Sequence, residues 1–202
     1  MKTHLYSPGG SGYTYLKSIL DWGNAAIINN PHQRGALFQE GEKFVYIFAN
    51  PYDVLLSFER RRYLHDINAV GLMQGDVNYF RTYGCKGLDH YLGLKKDCFR
   101  FGQHSNAYYT NPHLGLFVKY EALAERMDDI RDWSGLEFTQ QVPFSRRSSN
   151  HAVLGKEMLK ELYAAHGRWY DHYRRLPGFF TNKPEAQACL DHYVMDCYEN
   201  AA

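Results

Sequence analysis

The hydrophobic positions in the first half of the chain alternate between strand-like and helix-like patterns. A short alternating run near residues 3–7 and continuous apolar runs over 25–29 and 44–49 predict strands. Apolar residues at helical spacing predict helices over 13–22 and 51–65. Strands that alternate with helices favour an α/β fold, a parallel sheet with flanking helices, in which the carboxyl ends of the strands share one edge. Ligands bind at that edge in open sheets of this kind.

The pattern is looser in the second half of the chain. Many aromatic residues are mixed with polar ones between 63 and 113, where the sequence predicts two helices, over 74–83 and 87–96. A buried strand over 116–120 precedes a predicted helix over 121–131. The C-terminal part is predicted to be helical, with one helix ending near Leu176 and another starting at Pro184. The apolar face of the first is Leu154, Met158, Leu159, Leu162 and Tyr163.

Composition places the chain among single-domain proteins with one core. It has 202 residues, of which 45% are hydrophobic, and a formal net charge of +1. A nearly neutral chain gives no reason to expect a nucleic acid or an anionic membrane as a partner. We expect no membrane span and no secretory signal, because no apolar run is long enough and the N-terminus lacks an apolar core. The four scattered cysteines indicate reduced thiols and a cytoplasmic protein.

The stretch between residues 5 and 16 joins a predicted strand to a predicted helix through the turn Pro-Gly-Gly-Ser-Gly. Glycines let the backbone approach an anion closely, and the N–H groups at a helix N-terminus attract it. The hydroxyl groups of Ser11 and Thr14 would add two more donors. The stretch therefore predicts a phosphate-binding turn, and a glycine-rich turn without a ligand is the alternative.

Three motifs, in this order, resemble those of the sulfotransferases. Residues 10–16, Gly-Ser-Gly-Tyr-Thr-Tyr-Leu, resemble the 5′-phosphosulfate loop of that family, Lys-Ser-Gly-Thr-Thr-Trp-Leu. Residues 49–57, Ala-Asn-Pro-Tyr-Asp-Val-Leu-Leu-Ser, resemble its 3′-phosphate motif, in which Arg-Asn-Pro precedes Asp-Val and then a serine. Residues 118–123, Val-Lys-Tyr-Glu-Ala-Leu, resemble its later Tyr-Glu-Asp-Leu signature.

The resemblance implies a sulfotransferase fold, related to that of P-loop NTPases, which binds 3′-phosphoadenosine 5′-phosphosulfate without a metal. It places Asn50 and Ser57 at the 3′-phosphate, and Tyr120 near the adenine. The alternative for Tyr120 is a core tyrosine at a strand end. The resemblance places the following residues at the phosphosulfate: Gly10, Ser11, Gly12, Tyr13, Thr14 and Tyr15.

Two cations of the family are absent. Its loop lysine falls on Gly10 and its 3′-phosphate arginine falls on Ala49. Sulfuryl transfer must stabilise negative charge on the leaving phosphate, so other cations are expected to compensate. Arg60 or Arg61 is expected to compensate for Ala49, with Arg61 one helical turn after the motif serine, although a solvated helix face is an alternative for the run that contains them. Arg146 and Arg147 would close over the 3′-phosphate from a late Ser/Arg-rich loop, and an exposed loop is their alternative.

His32 is the candidate general base. In cytosolic sulfotransferases a histidine follows the corresponding strand and takes the proton of the acceptor hydroxyl, a role suited to a pKa near neutrality. The alternative is a surface histidine, one of 10 in the chain. Arg34, two residues later, is a further candidate cation. Two more histidines, His166 and His172, have no metal-ligand spacing with Asp171 and are predicted to lie on the surface.

The sequence leaves three functions open. The first is a sulfotransferase that acts on a hydroxyl of a small-molecule or carbohydrate acceptor. In this family the 63–113 region contributes acceptor contacts, and its aromatic residues fit that role or an ordinary core. The second is a non-catalytic nucleotide-binding module on the same fold. The third, a P-loop kinase, is disfavoured because the loop lacks the Gly-Lys-Ser/Thr ending.

Overall fold

The computed structural model describes residues 2–21, 32, 38–139 and 151–182. Within them, a sheet of four strands has the order β1-β2-β3-β4, with β1 to β3 parallel and β4 antiparallel to β3. The strands are β1 (Thr3–Tyr6), β2 (Lys43–Phe48), β3 (Gly115–Lys119) and β4 (Phe179–Thr181). The expectation of an α/β protein with a largely parallel sheet and flanking helices is confirmed.

The helices of the described residues are short, apart from the last one. They are α1 (Tyr13–Ile19), α2 (Pro51–Arg60), α3 (Ile67–Leu72), α4 (Val77–Tyr83), α5 (Leu88–Gly93), α6 (Phe101–Tyr109), α7 (Met127–Ser134) and α8 (Lys156–Arg175). Single turns of 3₁₀ helix lie at Tyr63–His65, Tyr120–Ala122, Ala124–Arg126 and His151–Val153.

The two faces of the sheet carry different side chains, because successive residues of a strand point to opposite faces. One face presents aromatic rings, such as Tyr46 and Phe117, to a core completed by α2, α4, α5, α6 and α8. The other face presents aliphatic residues, such as Val45 and Val118, to α1 and α7. Every residue of β2 is buried, which agrees with its continuous apolar run.

Several predicted element boundaries were wrong. Helix α1 ends at Ile19, because Leu20 is extended and forms a bridge to Phe138. Helix α2 ends at Arg60 rather than 65, because Arg62 has a left-handed φ of 63° and the chain turns there. The segment predicted as one helix over 121–131 contains two 3₁₀ turns before α7 begins.

Other predictions need correction or lie outside the described residues. Helices 74–83 and 87–96 are shorter, as α4 and α5, and the sequence did not predict α3, α6 and β4. The predicted strand over 25–29 and the helix from Pro184 lie outside the described residues. The surface positions predicted for His166 and His172 were wrong, since both are buried on the face of α8 that also carries Leu162 and Trp169. Tyr163, predicted on that face, is exposed.

Candidate functional site

The glycine loop, defined here as residues 7–12, joins the carboxyl end of β1 to α1. Gly10 has a φ of 62° and Gly12 a φ of 88°, whereas Ser11 between them has no positive φ. A backbone whose φ alternates in sign turns successive N–H groups toward one concave side, the arrangement called a nest that binds anions. The loop is braced inside by Ser7, whose hydroxyl oxygen accepts the amide N–H of Gly9 at 3.1 Å.

Glycine is required in this loop for room as well as for backbone angle. A Cβ atom at Gly10 would lie 3.1 Å from Cγ1 of Val54 and 3.3 Å from Cε1 of Phe58, both on α2. A Cβ atom at Gly12 would lie 2.7 Å from Cδ2 of Tyr120. The glycine loop is therefore packed between α2 and the segment after β3, which brings all three sequence motifs together.

The side chains of the motif after Gly10 have different surroundings. The buried hydroxyl of Ser11 donates to the carbonyl of Ile47 on β2 at 3.1 Å. In this arrangement an anion would receive only the backbone amide of Ser11. Thr14 is exposed, whereas Tyr13 and Tyr15 are half-buried. Burial raises the pKa of both tyrosines, so their phenols remain neutral hydrogen-bonding groups.

His32 is held next to the glycine loop by two hydrogen bonds. Its Nδ1 lies 2.9 Å from the carbonyl oxygen of Ser7, and its own carbonyl oxygen lies 2.8 Å from Nε2 of His104. A carbonyl only accepts, so Nδ1 of His32 carries the proton and the lone pair is on Nε2. The ring of Tyr13 contacts that of His32 edge-on, with 5.8 Å between centroids.

The electrostatic environment favours the neutral form of His32. Burial lowers its pKa from the ordinary 6.5, and the positive charge of Arg61 lowers it further. The hydrogen bond that its Nδ1–H donates to the carbonyl of Ser7 acts in the opposite direction and raises the pKa. A neutral imidazole with its lone pair on Nε2 is the form that accepts a proton. The structure therefore gives His32 the tautomer and the charge that a general base needs.

One face of α2 is directed to this region. Val54, Ser57 and Arg61 are spaced by three and four residues along the helix, so they lie on one side of it. Ser57 is 0% exposed, and its hydroxyl has no hydrogen-bond partner among the described residues. A buried hydroxyl without a partner is costly and points to a group that binds something else. Arg61 is exposed one turn later.

The N-terminus of α2 carries the other half of the second motif. The side-chain oxygen of Asn50 caps the helix by accepting the amide N–H of Tyr52 at 3.0 Å. His151 is anchored there, because its backbone N–H and its Nδ1 both donate to Oδ1 of Asp53, at 2.7 and 2.9 Å. Ala49, at the position of the missing arginine, is buried.

Some predicted site residues are assembled in one region and others are not described. The glycine loop itself contains Gly10 and Gly12, and His32 and Tyr120 lie beside it. Arg61 is close enough for its charge to act on His32. Arg34, Arg146 and Arg147 lie outside the described residues. Most of the aromatic residues proposed as acceptor contacts are buried in the core: Phe80, Tyr91, Phe99, Phe101, Tyr108 and Tyr109.

Sequence reasoning missed three residues that matter for this site. His151 follows directly after the Ser/Arg-rich stretch, and that position was the one available signal for it. His104 and Tyr46, which support His32, carried no such signal. Their contact depends on α6 packing over β2, and α6 was not predicted.

Two searches of the described residues were negative. They contain no helix that is both long and apolar enough to cross a membrane. The same part of the chain has no group of three or more His, Cys, Asp or Glu residues arranged to hold a metal ion.

Comparisons with protein-family models, with curated proteins and with solved structures gave no significant match to this chain.

Proposed function

We propose that this protein is a sulfotransferase with a P-loop-like sulfotransferase fold. Its donor would be 3′-phosphoadenosine 5′-phosphosulfate, and its acceptor a hydroxyl group of a small molecule or carbohydrate. The observation that carries the proposal is His32, a half-buried neutral imidazole fixed in one tautomer beside a glycine loop of nest geometry. A base next to an anion-binding backbone is what transfer from a phosphate-linked donor to a hydroxyl requires.

The residues present fit such a donor. The amides of the glycine loop would hold the 5′-phosphosulfate. The unpartnered hydroxyl of Ser57 would hydrogen-bond the 3′-phosphate, with Asn50 at the start of the same helix and Tyr120 near the adenine. When bound, the donor supplies an electrophilic sulfur and a bisphosphate leaving group. Nε2 of His32 would accept the proton of the acceptor hydroxyl.

The two missing cations have candidate replacements in this arrangement. Arg61 is one turn beyond Ser57, and its charge already acts on His32. The second replacement would come from Arg146 and Arg147. They precede His151 by five and four residues, and His151 is anchored on Asp53 in the first turn of α2. Both arginines are therefore close in sequence to a residue that contacts the second motif.

A second candidate, the non-catalytic nucleotide-binding module, is favoured by one observation. Gly10 leaves the loop without its lysine and is packed against Val54 and Phe58, so the loop supplies only backbone donors. A module would retain nucleotide binding through these donors without transferring a sulfuryl group.

Thermal unfolding with added nucleotide tests the binding site. Adenosine 3′,5′-bisphosphate in the presence of EDTA should stabilise the protein, by about 2.7 kcal/mol at 100 times its Kd. Stabilisation that requires ATP and Mg²⁺ would favour a kinase, and no stabilisation by either nucleotide would refute both leading candidates.

A transfer assay separates the enzyme from the module. Labelled donor and a panel of hydroxyl acceptors should give transfer that is lost in His32→Ala. Tight bisphosphate binding without transfer to any acceptor would favour the module.

A further inference from the structure

A chain of buried polar side chains connects the middle of the sheet to His32. Tyr46 lies on β2, and its phenol oxygen is 2.8 Å from Nδ1 of His104 and 3.1 Å from the hydroxyl of Ser105, both on α6. Nε2 of His104 is 2.8 Å from the carbonyl oxygen of His32. Each of Tyr46, His104 and Ser105 is no more than 1% exposed, so bulk water does not compete for these hydrogen bonds.

The hydrogen bond between His104 and His32 has a defined direction. The carbonyl of His32 only accepts, so Nε2 of His104 must carry a proton. Nδ1, on the other side of the ring, is held by the phenol oxygen of Tyr46, which the hydroxyl of Ser105 also contacts. The ring of His104 is thus held from both sides, which gives its contact to His32 a defined geometry.

We propose that His104 is a positioning residue that holds the backbone of His32 so that its imidazole faces the acceptor with the correct tautomer. The inference rests on the proposed function, because it assigns a role in the same site. His32 is restrained twice, by Ser7 at its ring and by His104 at its carbonyl. The first contact selects the tautomer, and the second holds the backbone of His32 in the position from which Nδ1 reaches the carbonyl of Ser7.

A second buried pair in the same protein provides a matched control. Tyr91 on α5 lies 2.9 Å from Nε2 of His166 on α8, and both residues are fully or almost fully buried. This pair has the same chemistry as Tyr46 and His104, but its histidine contacts Tyr91, Asp97 and Phe101 rather than His32. If kcat fell only because a buried hydrogen bond was lost, a substitution in either pair would lower it. If kcat falls because His32 is no longer held in position, only a substitution in the Tyr46–His104 pair will lower it.

The experiment combines steady-state kinetics with ¹⁵N NMR of histidine-labelled protein. His104→Gln keeps a side-chain amide donor close to the position of Nε2, and His104→Phe removes it. We expect His104→Phe to lower kcat on the order of 100-fold, as a misplaced catalytic group does, with the Kd for adenosine 3′,5′-bisphosphate unchanged. His104→Gln should restore most of kcat, and Tyr91→Phe should leave it near wild type.

The NMR readout does not depend on activity. The wild-type spectrum should show the Nδ1-protonated tautomer for His32 and the Nε2-protonated tautomer for His104. His104→Phe should convert His32 to a mixture of tautomers. His104→Gln and Tyr91→Phe should both keep His32 in the Nδ1-protonated tautomer. An unchanged His32 signal in His104→Phe would overturn the inference.

The outcomes also separate this inference from the proposed function. If wild-type protein transfers no sulfuryl group but the His32 tautomer still depends on His104, the proposed function fails and the positioning contact stands. If transfer occurs and His104→Phe has normal kcat, the function stands and the inference fails. Should His104→Phe not fold, Tyr46→Phe replaces it, and equal kcat and equal His32 spectra in Tyr46→Phe and Tyr91→Phe would overturn the inference.

Discussion

Ser57→Ala is expected to make the protein more stable and its nucleotide affinity weaker. The hydroxyl of Ser57 is fully buried on α2 and has no hydrogen-bond partner among the described residues. The substitution removes that hydroxyl and keeps the Cβ atom, so it leaves the packing of the helix nearly unchanged. If the hydroxyl exists to bind a 3′-phosphate, it costs stability in the free protein and gains affinity in the complex.

The magnitudes follow from the burial of this group. A buried polar group without a partner costs about 1–3 kcal/mol, so removing it should raise the free energy of unfolding by up to that amount. In a chain of this size each kcal/mol corresponds to roughly 2–4 °C in Tm. A hydrogen bond to a charged phosphate contributes about 1.5–3 kcal/mol, so the Kd for adenosine 3′,5′-bisphosphate should rise about 10- to 150-fold.

Two measurements and one control variant test this prediction. Denaturant unfolding gives the stability of the free protein, and titration calorimetry gives the Kd for the bisphosphate and for adenosine 5′-phosphate, which lacks the 3′ group. Ser134→Ala is the control. Ser134 is also buried, but its hydroxyl donates to the carbonyl of Arg131 at 3.0 Å, and it belongs to none of the three motifs. That variant should lose stability and bind both nucleotides normally.

Either of two results would refute the reasoning about Ser57. A loss of stability in Ser57→Ala would mean that the hydroxyl has a partner in the free protein. An equal loss of affinity for both nucleotides would remove Ser57 from the 3′-phosphate site, whatever the stability.

Three further predictions concern the loop, a buried carboxyl and the late arginines. Gly10→Ala should lose about 1–3 kcal/mol more stability than Gly41→Ala, because both glycines have positive φ but only the first has a Cβ site that is crowded; equal losses in denaturant unfolding would contradict this. Burial raises the pKa of Asp97 from 3.8 to about 7, so the folded state is favoured below pH 3.8 and loses that advantage as the pH rises to 7. Asp97→Asn should therefore raise Tm above pH 7 and not below pH 4, and a pH-independent change would exclude ionisation as its cause. Replacing Arg146 and Arg147 together by alanine should remove the preference for the bisphosphate over adenosine 5′-phosphate with Tm unchanged, and an unaltered preference in calorimetry would exclude these arginines.

The hydrophobic pattern was sufficient to predict the three parallel strands of the sheet but not β4, because the information in such a pattern is local. The strands β1, β2 and β3 are short apolar runs, and each was found within a residue or so of its bounds. The helix ends depend on single residues in unusual conformations, such as Arg62 with its left-handed φ, and no pattern marks these. Helix α6 was missed because its buried face includes His104 and Ser105, which a hydrophobicity pattern counts as polar.

The candidate site shows the same division between local and distant information. The glycine loop and the cap at Asn50 follow from short motifs, and the structure places them as strand-to-helix connections. The state of His32 depends instead on Ser7 and His104, which are 25 and 72 residues away along the chain. Contacts at that separation leave no periodic trace in one sequence, so the tautomer and the lowered pKa became visible only in the fold.

The packing of the loop accounts for a glycine at position 10, where the resemblance to sulfotransferases leads one to expect a lysine. A side chain at position 10 would have to adopt a φ of 62°, and its Cβ atom would meet Val54 and Phe58 on α2. The side chain of a lysine at this position would therefore leave the backbone in the direction of α2. We expect Gly10→Lys to lower the stability of the protein without raising its transfer activity. Under the proposed function the cation would come from elsewhere, and Arg61 is the candidate whose charge lowers the pKa of His32.

Arg61→Gln tests that assignment, with Arg60→Gln as the control on the neighbouring exposed position. Losing one group that stabilises the developing charge should lower kcat about 100-fold in Arg61→Gln alone. Because the charge of Arg61 lowers the pKa of His32, its removal should also raise that pKa in an NMR titration. This second effect needs neither donor nor acceptor. If the pKa of His32 rises but transfer is unchanged, Arg61 is near the base without stabilising the leaving group. If neither changes, Arg61 does not belong to the site.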